Sequence, residues 1–200
     1  AGGNLSVIRS VFRSNRAYCN LWNSAPEILG GAIANHGGNI LLRNCLLTTN
    51  QAVNTNPSGL NGGRALANVL GVSRIENCTL VRNVGDGVRQ KDGILAVTNS
   101  ILWGNGDDVT GAVVLAYCDV QNGTNTGVNG NISADPLFEG AATNNYRLLK
   151  GSPCIDAGIN LPGMMTEVDL GGVRRLQGGL VDLGAYEAPS TISAILIQVM

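Results

Sequence analysis

Asp86, Asp92, Asp107 and Asp108 form the densest group of carboxylates in the chain, with Arg89 among them. Oxygen ligands gathered in this way suit calcium, and a close carboxylate pair suits glycoside hydrolysis. Each of these residues, however, lies beside or near Gly85, Gly87, Gly93, Gly104 or Gly106, and Asp in such company commonly serves the turn itself. The four aspartates are therefore carried as weak metal-site candidates with calcium as the one conceivable ion; no catalytic or cofactor-binding set is assigned.

Other chemistry is sparse. His36 is the sole histidine, which removes most His-based acid–base and nucleophilic arrangements, and Gly37-Gly38 after it suggests an exposed turn. Five cysteines leave at least one thiol free, and none has CxxC or Cys/His spacing suited to zinc. Nothing in the sequence supports a bridge between Cys19 and Cys154. Trp22, Trp103 and Tyr117 are aromatics on which a sugar ring could stack, but the chain holds only eight aromatic residues, too few for a long flat platform. A formal net charge of −1 supplies no basic field for nucleic acid. No stretch of about 18 apolar residues is present to span a bilayer as a helix.

The elements that would hold these residues are announced by composition. Of 200 residues, 28 are Gly and 23 Asn, while charged residues make up only 14%. Such a chain favours short strands joined by tight turns, because Gly and Asn accept positive φ at low cost. Five segments repeat without gaps: Leu5 to Asn15, Ile40 to Asn50, Ser73 to Asn83, Leu95 to Asn105 and Val113 to Gly123. Three columns are constant in character. Val7, Leu42, Ile75, Val97 and Leu115 form the first, Ser10, Cys45, Cys78, Ser100 and Cys118 the second, and Phe12, Leu47, Leu80, Leu102 and Val120 the third.

The second and third columns are two residues apart, the period of a strand with one face inward. The first and second are three apart, so one residue turns a corner: Arg9, Asn44, Asn77, Asn99 and Tyr117. Asn15, Asn50, Asn83 and Asn105 close the second strand, and the same left-handed conformation is expected there. The columns between, Val11, Leu46, Thr79, Ile101 and Asp119 with Arg13, Thr48, Val81, Trp103 and Gln121, have no fixed chemistry and are expected to face outward. Gly30 to Asn35, Gly62 to Asn68 and Gly85 to Val88 precede three of the segments as a further strand. Units of this length with matching inward positions describe a solenoid of stacked parallel strands. A β-sandwich would give no reason for the columns to repeat. Cys45, Cys78 and Cys118 are then packing residues of one inward ladder.

Beyond Asn131 the repeat stops. Ala134-Asp135-Pro136-Leu137-Phe138, Tyr146-Arg147-Leu148, Ser152 to Gly158, Asp169-Leu170-Gly171-Gly172 and Asp182 to Glu187 follow over 54 residues. With the coils, this passage resembles right-handed parallel β-helix repeat proteins of the bacterial surface, of the choice-of-anchor Q type and the pectin-lyase-like fold. Gly30 to Ile33 and Phe12 to Asn15 are similar to their turns, and Asp135 to Glu187 is similar to the ending that precedes an anchoring signal.

The expected fold is all-β, a right-handed parallel β-helix (solenoid) over residues 1–131 with an irregular C-terminal β cap and pre-anchor region over 132–200. The resemblance implies a protein secreted to, or displayed at, the bacterial cell surface, and a non-catalytic structural or adhesive segment of a larger chain. A polysaccharide lyase or glycosidase, or a carbohydrate-binding module, is the alternative. Polysaccharide or cell-surface glycans are the expected partners, the chain is expected to be a monomer, and both ends read as cut from a longer protein.

Overall fold

The computed structural model describes residues 2–19, 30–54, 65–177 and 179–189. Trp22, Gly62, Gly63 and the apolar run from Ile192 to Met200 lie outside the described residues, as does the side chain of Cys19. Five successive turns of chain, here called coils, each contribute one strand to each of two parallel sheets. Coil 1 holds β1 (Asn4–Ile8), β2 (Val11–Arg13) and β3 (Arg16–Cys19); coil 2 holds β4 (Ile33–Arg43), β5 (Leu46–Thr48) and β6 (Gln51–Asn54). Coil 3 holds β7 (Leu66–Glu76) and β8 (Thr79–Val81); coil 4 holds β9 (Val88–Gln90), β10 (Ile94–Thr98) and β11 (Ile101–Trp103). Coil 5 holds β12 (Val109–Thr110), β13 (Val114–Ala116) and β14 (Asp119–Val120).

The larger sheet has the order β1-β4-β7-β10-β13 with β9 and β12 beside it, the second is β14-β11-β8-β5-β2, and β3 pairs β6. All of these pairings are parallel. The chain is therefore an all-β protein built on parallel sheets, compatible with a parallel β-helix and not with a sandwich of antiparallel hairpins.

Register explains why the columns repeat. Val7, Leu42, Ile75, Val97 and Leu115 are aligned through four successive pairings, and Phe12, Leu47, Leu80, Leu102 and Val120 through four more. From coil 2 to coil 5 they merge into one buried cluster with Cys45, Cys78 and Cys118. The thiol and hydroxyl column also bonds along the stack: Cys45 N–H donates to Cys78 Sγ at 3.4 Å and Cys78 N–H to Ser100 Oγ at 3.1 Å. At the corner, Arg9, Asn44, Asn77, Asn99 and Tyr117 all take the left-handed conformation, with φ of 51°, 54°, 51°, 50° and 51°.

One expectation is corrected. Left-handed residues at the close of the second strand are Ser14, Thr49 and Arg82, with φ of 56°, 56° and 55°, and Gly104, one position ahead of the asparagines. The asparagines form a ladder instead. Asn15, Asn50 and Asn83 each donate both backbone N–H and Nδ2 to the Oδ1 of the next, at 2.8–3.0 Å. An amide at this place satisfies the backbone of its neighbour coil, which a left-handed turn alone would leave open.

Of the described residues after coil 5, Asn129 to Ile132 lie on the last coil's edge, where Tyr117 N–H reaches Asn129 O at 2.9 Å and Ile132 N–H reaches Cys118 O at 2.8 Å. From Ala134 the chain turns back along the outer face of the second sheet. It bonds in turn to Asp119, Asn99, Thr79, Thr48 and Asn44, covering coils 5 to 2. β15 (Phe138–Gly140) and β16 (Asn145–Leu148) form its antiparallel hairpin. Much of the outward columns is accordingly buried: Leu46, Thr48, Thr79, Val81, Ile101 and Asp119 are each at most 1% exposed, while Val11, Arg13 and Gln121 stay exposed. Their composition is the reason, since leaving Leu46, Val81 and Ile101 in water would expose a continuous apolar strip.

Candidate functional site

The acidic turns lie where β9 and β12 begin. Val88 pairs with Val109, so Asp86 stands level with Asp107 on the neighbouring coil, and Gly87 N–H bonds Asp107 O at 2.7 Å. A Cβ on Gly87 would meet Asp108 O at 2.7 Å, closer than real side chains pack. Glycine here is what lets the coils approach. The Asp86 carboxylate faces Arg89 at 3.5 Å.

Asp108 is buried, and its carboxylate accepts from Asn105 Nδ2 at 2.9 Å and from Asn122 N–H at 3.2 Å. Burial raises its pKa, opposed by those hydrogen bonds. Asp108 thus ends the asparagine ladder. Asp92 lies past β9 and accepts the N–H of Gly93 at 2.7 Å, serving its own turn. The structure brings Asp86, Asp107 and Asp108 together at the start of β9 and β12 and leaves Asp92 past the other end of β9. Among the described residues no three His, Cys, Asp or Glu side chains converge to hold a metal ion.

His36 is exposed on an irregularity of β4 opposite Leu70. Trp103 and Tyr117 are half-buried and pack under the returning chain, Trp103 with Phe138 and Tyr117 with Ile132 in the clusters that join cover to coils. Cys45, Cys78, Cys118 and Cys154 are buried free thiols.

Two buried polar groupings were not legible as sites. Arg175, fully buried, donates to the carbonyls of Gly184 at 3.2 Å and Asp182 at 3.0 Å and pairs with Glu187 at 3.2 Å. Asp169 accepts from the N–H groups of Val173 and Glu187, and Asp182 from those of Asp156 and Ala188. Burial pushes Glu187 up to about 8 despite the guanidinium beside it; Arg175 itself stays charged. The second grouping is Asp119, whose carboxylate accepts from Ala134 N–H at 3.0 Å and from the Cys154 thiol at 3.2 Å. Burial pushes Asp119 up to about 6. The paired Asp-Leu-Gly triplets at 169–171 and 182–184 were the one available signal for the first grouping; Asp119 at an outward position was the signal for the second.

The outer face of the larger sheet remains open. A shallow groove of 240 Å³ runs there at the first coils, lined by Asn4, Ser6, Asn39, Leu41 and Arg74 with the edges of Leu5 and Ile40. Chemically the arrangement can bind hydroxyl-rich or extended ligands by hydrogen bonds; of the acidic turns, the Asp86 carboxylate pairs with Arg89 and that of Asp108 accepts from Asn105 and Asn122. Comparison with protein-family models, with curated proteins and with solved structures finds no match for this chain.

Proposed function

We propose that this chain is a non-catalytic structural or adhesive segment of a larger exported bacterial surface protein, a right-handed parallel β-helix of the choice-of-anchor Q type. In this reading residues 1–131 are the β-helix coils and residues 132–200 the C-terminal cap and pre-anchor region. The observation that carries it is the use made of the polar residues. Asp108, Asn105, Asn83, Asn50 and Asn15 bond one another along the stack, and Asp119, Asp169 and Asp182 bond backbone N–H groups of the cover. Side chains committed in this way give stiffness and leave no carboxylate pair poised over an open cleft.

Glycans or polysaccharide are the partners proposed for the open face of the larger sheet, bound by a monomer that needs no cofactor. Incubation with a panel of acidic polysaccharides, with and without calcium, tests the reading through the absorbance of unsaturated products. No turnover is expected; turnover would establish the lyase alternative. Saturable binding on a glycan array, lost on Arg74→Ala, is the expected adhesive signature.

A further inference from the structure

The first coil ends the described stack with half of a repeated interface unused. At every step between coils, the residue after the small column donates its N–H to the coil before. Leu46 reaches Ser10 O at 3.0 Å, and Thr79, Ile101 and Asp119 reach Cys45 O, Cys78 O and Ser100 O at 2.9 Å. The ladder asparagines of coils 2 to 4, Asn50, Asn83 and Asn105, likewise offer Oδ1 to the coil before. In coil 1 the same two groups, Val11 N–H and Asn15 Oδ1, have no partner among the described residues.

The inward columns are equally unfinished there. Val7 and Phe12 are half-buried where Leu42 and Leu47 are fully enclosed, and Leu5, two residues before Val7 on the same face, is 53% exposed. A bare parallel edge accepts many strands in principle. This one is selective, because Asn15 Oδ1 is placed for an amide plus a backbone N–H, and Val7 and Phe12 are placed for two aliphatic side chains five residues apart.

We infer that the free edge of coil 1 is an acceptor surface for one further coil of this chain's own pattern, entering in parallel and in register. An asparagine then lies over Asn15 and aliphatic residues over Val7 and Phe12. The occupant is argued from the molecule itself, which forms the backbone half of this interface four times, at β2–β5, β5–β8, β8–β11 and β11–β14, and the asparagine half three times. A second copy offering its last coil is the poorer fit, since the edge of β14 is already taken by Ile132.

The test inserts a second copy of the sequence 39–71 directly ahead of Asn4, so that Asn4 follows the copy as Val72 follows the original. Amide exchange at Val11 should slow at least tenfold and the thermal midpoint should rise, with the chain still monomeric by sedimentation. A control insert carries Asp at the copied positions of Leu42 and Leu47 and should protect nothing. Equal protection by both inserts, or by neither, overturns the inference. A synthetic peptide spanning residues 40–50, added to the unaltered chain, gives an independent reading: saturable shifts of the Asn15 side-chain amide support the surface, and their absence counts against it. Concentration-dependent pairing of the unaltered chain that protects Val11 would assign the edge to a second copy and overturn the proposed occupant.

Discussion

The coil stack and the returning cover bury comparable groups by opposite means. In the stack, each inward position is matched by its own kind one coil away, and the polar residues are neutral amides that bond along the axis. In the cover, no position repeats, and the polar residues are of the ionisable types: Arg175, Glu187, Asp169 and Asp182 lie buried together. Repetition lets one amide satisfy both the coil above and the coil below. A single irregular layer has no such neighbour, so it satisfies its backbone with carboxylates, whose oxygens each accept strongly. The difference teaches where the molecule is vulnerable: the stack to loss of shape, the cover to loss of a charge.

The largest effect is expected at Arg175. Arg175→Ala would remove the cation beside Glu187 and the donor that serves the buried carbonyls of Gly184 and Asp182, and taking one partner out of such a buried group costs about 3–5 kcal/mol. Urea unfolding would measure the loss, and Trp103 fluorescence should shift to the red as the cover loosens. A loss below about 1 kcal/mol would mean that the cover is held by its apolar contacts alone.

Leu46 and Val11 sharpen the same comparison. They occupy one outward column, yet Leu46 is buried beneath Tyr146 while Val11 stands outside the cover. Leu46→Ala should cost about 3 kcal/mol, as a core leucine does, and Val11→Ala less than about 1 kcal/mol by the same measurement. Equal small losses would show that the cover does not seal the sheet.

This pair also marks what the sequence could convey. Gapless columns disclosed the parallel pairing, the register and the left-handed corner, because each is imposed at every coil and so leaves a repeated residue type. Alternation told which face Leu46, Thr79 and Ile101 lie on, but not what lies over them. That depended on a segment sixty to a hundred residues distant with no period of its own. Arg175 and Glu187 were illegible for the same reason, since a charge in an irregular loop reads as solvated until its partners are placed. The aspartates at 86, 107 and 108 were brought together as neighbouring coils require, while the use of Asp108 as the ladder's end depended on Asn105 and Asn122.

Asp119 connects the two regions and gives the next effect a pH signature. Its folded pKa of about 6 lies above the ordinary 3.8, so between those values the folded chain holds a proton that the unfolded chain has released. Stability from this group is complete below about pH 4 and is lost as pH rises to about 6, by about 3 kcal/mol in all. Cys154, Asp108 and Asp135 are the titratable groups around it, and Glu187, raised in the same sense, continues the trend toward pH 8. Asp119→Asn should flatten the fall between pH 4 and 6 in denaturation series and leave the chain about 2 kcal/mol more stable at pH 7. An unchanged slope would separate Asp119 from the cover's pH response.

The smallest effect is expected at Asn77, where stack and cover meet without a bond. Its neighbours in the corner column both reach the cover, Asn44 through Nδ2 to Val168 O and Asn99 to and from Ile159. Asn77 is fully buried, and both atoms of its amide lack a partner. Burying an amide unbonded costs on the order of 1–3 kcal/mol, and its φ of 51° adds a strain that glycine escapes. Against this, glycine costs up to about 1 kcal/mol of chain entropy and leaves a side-chain-sized void. Asn77→Gly should therefore change stability by less than about 1 kcal/mol, whereas Asn99→Gly, which removes two bonds to the cover, should destabilise by about 2 kcal/mol. Parity of the two in urea unfolding would mean that the corner column serves backbone geometry alone and contributes nothing to holding the cover.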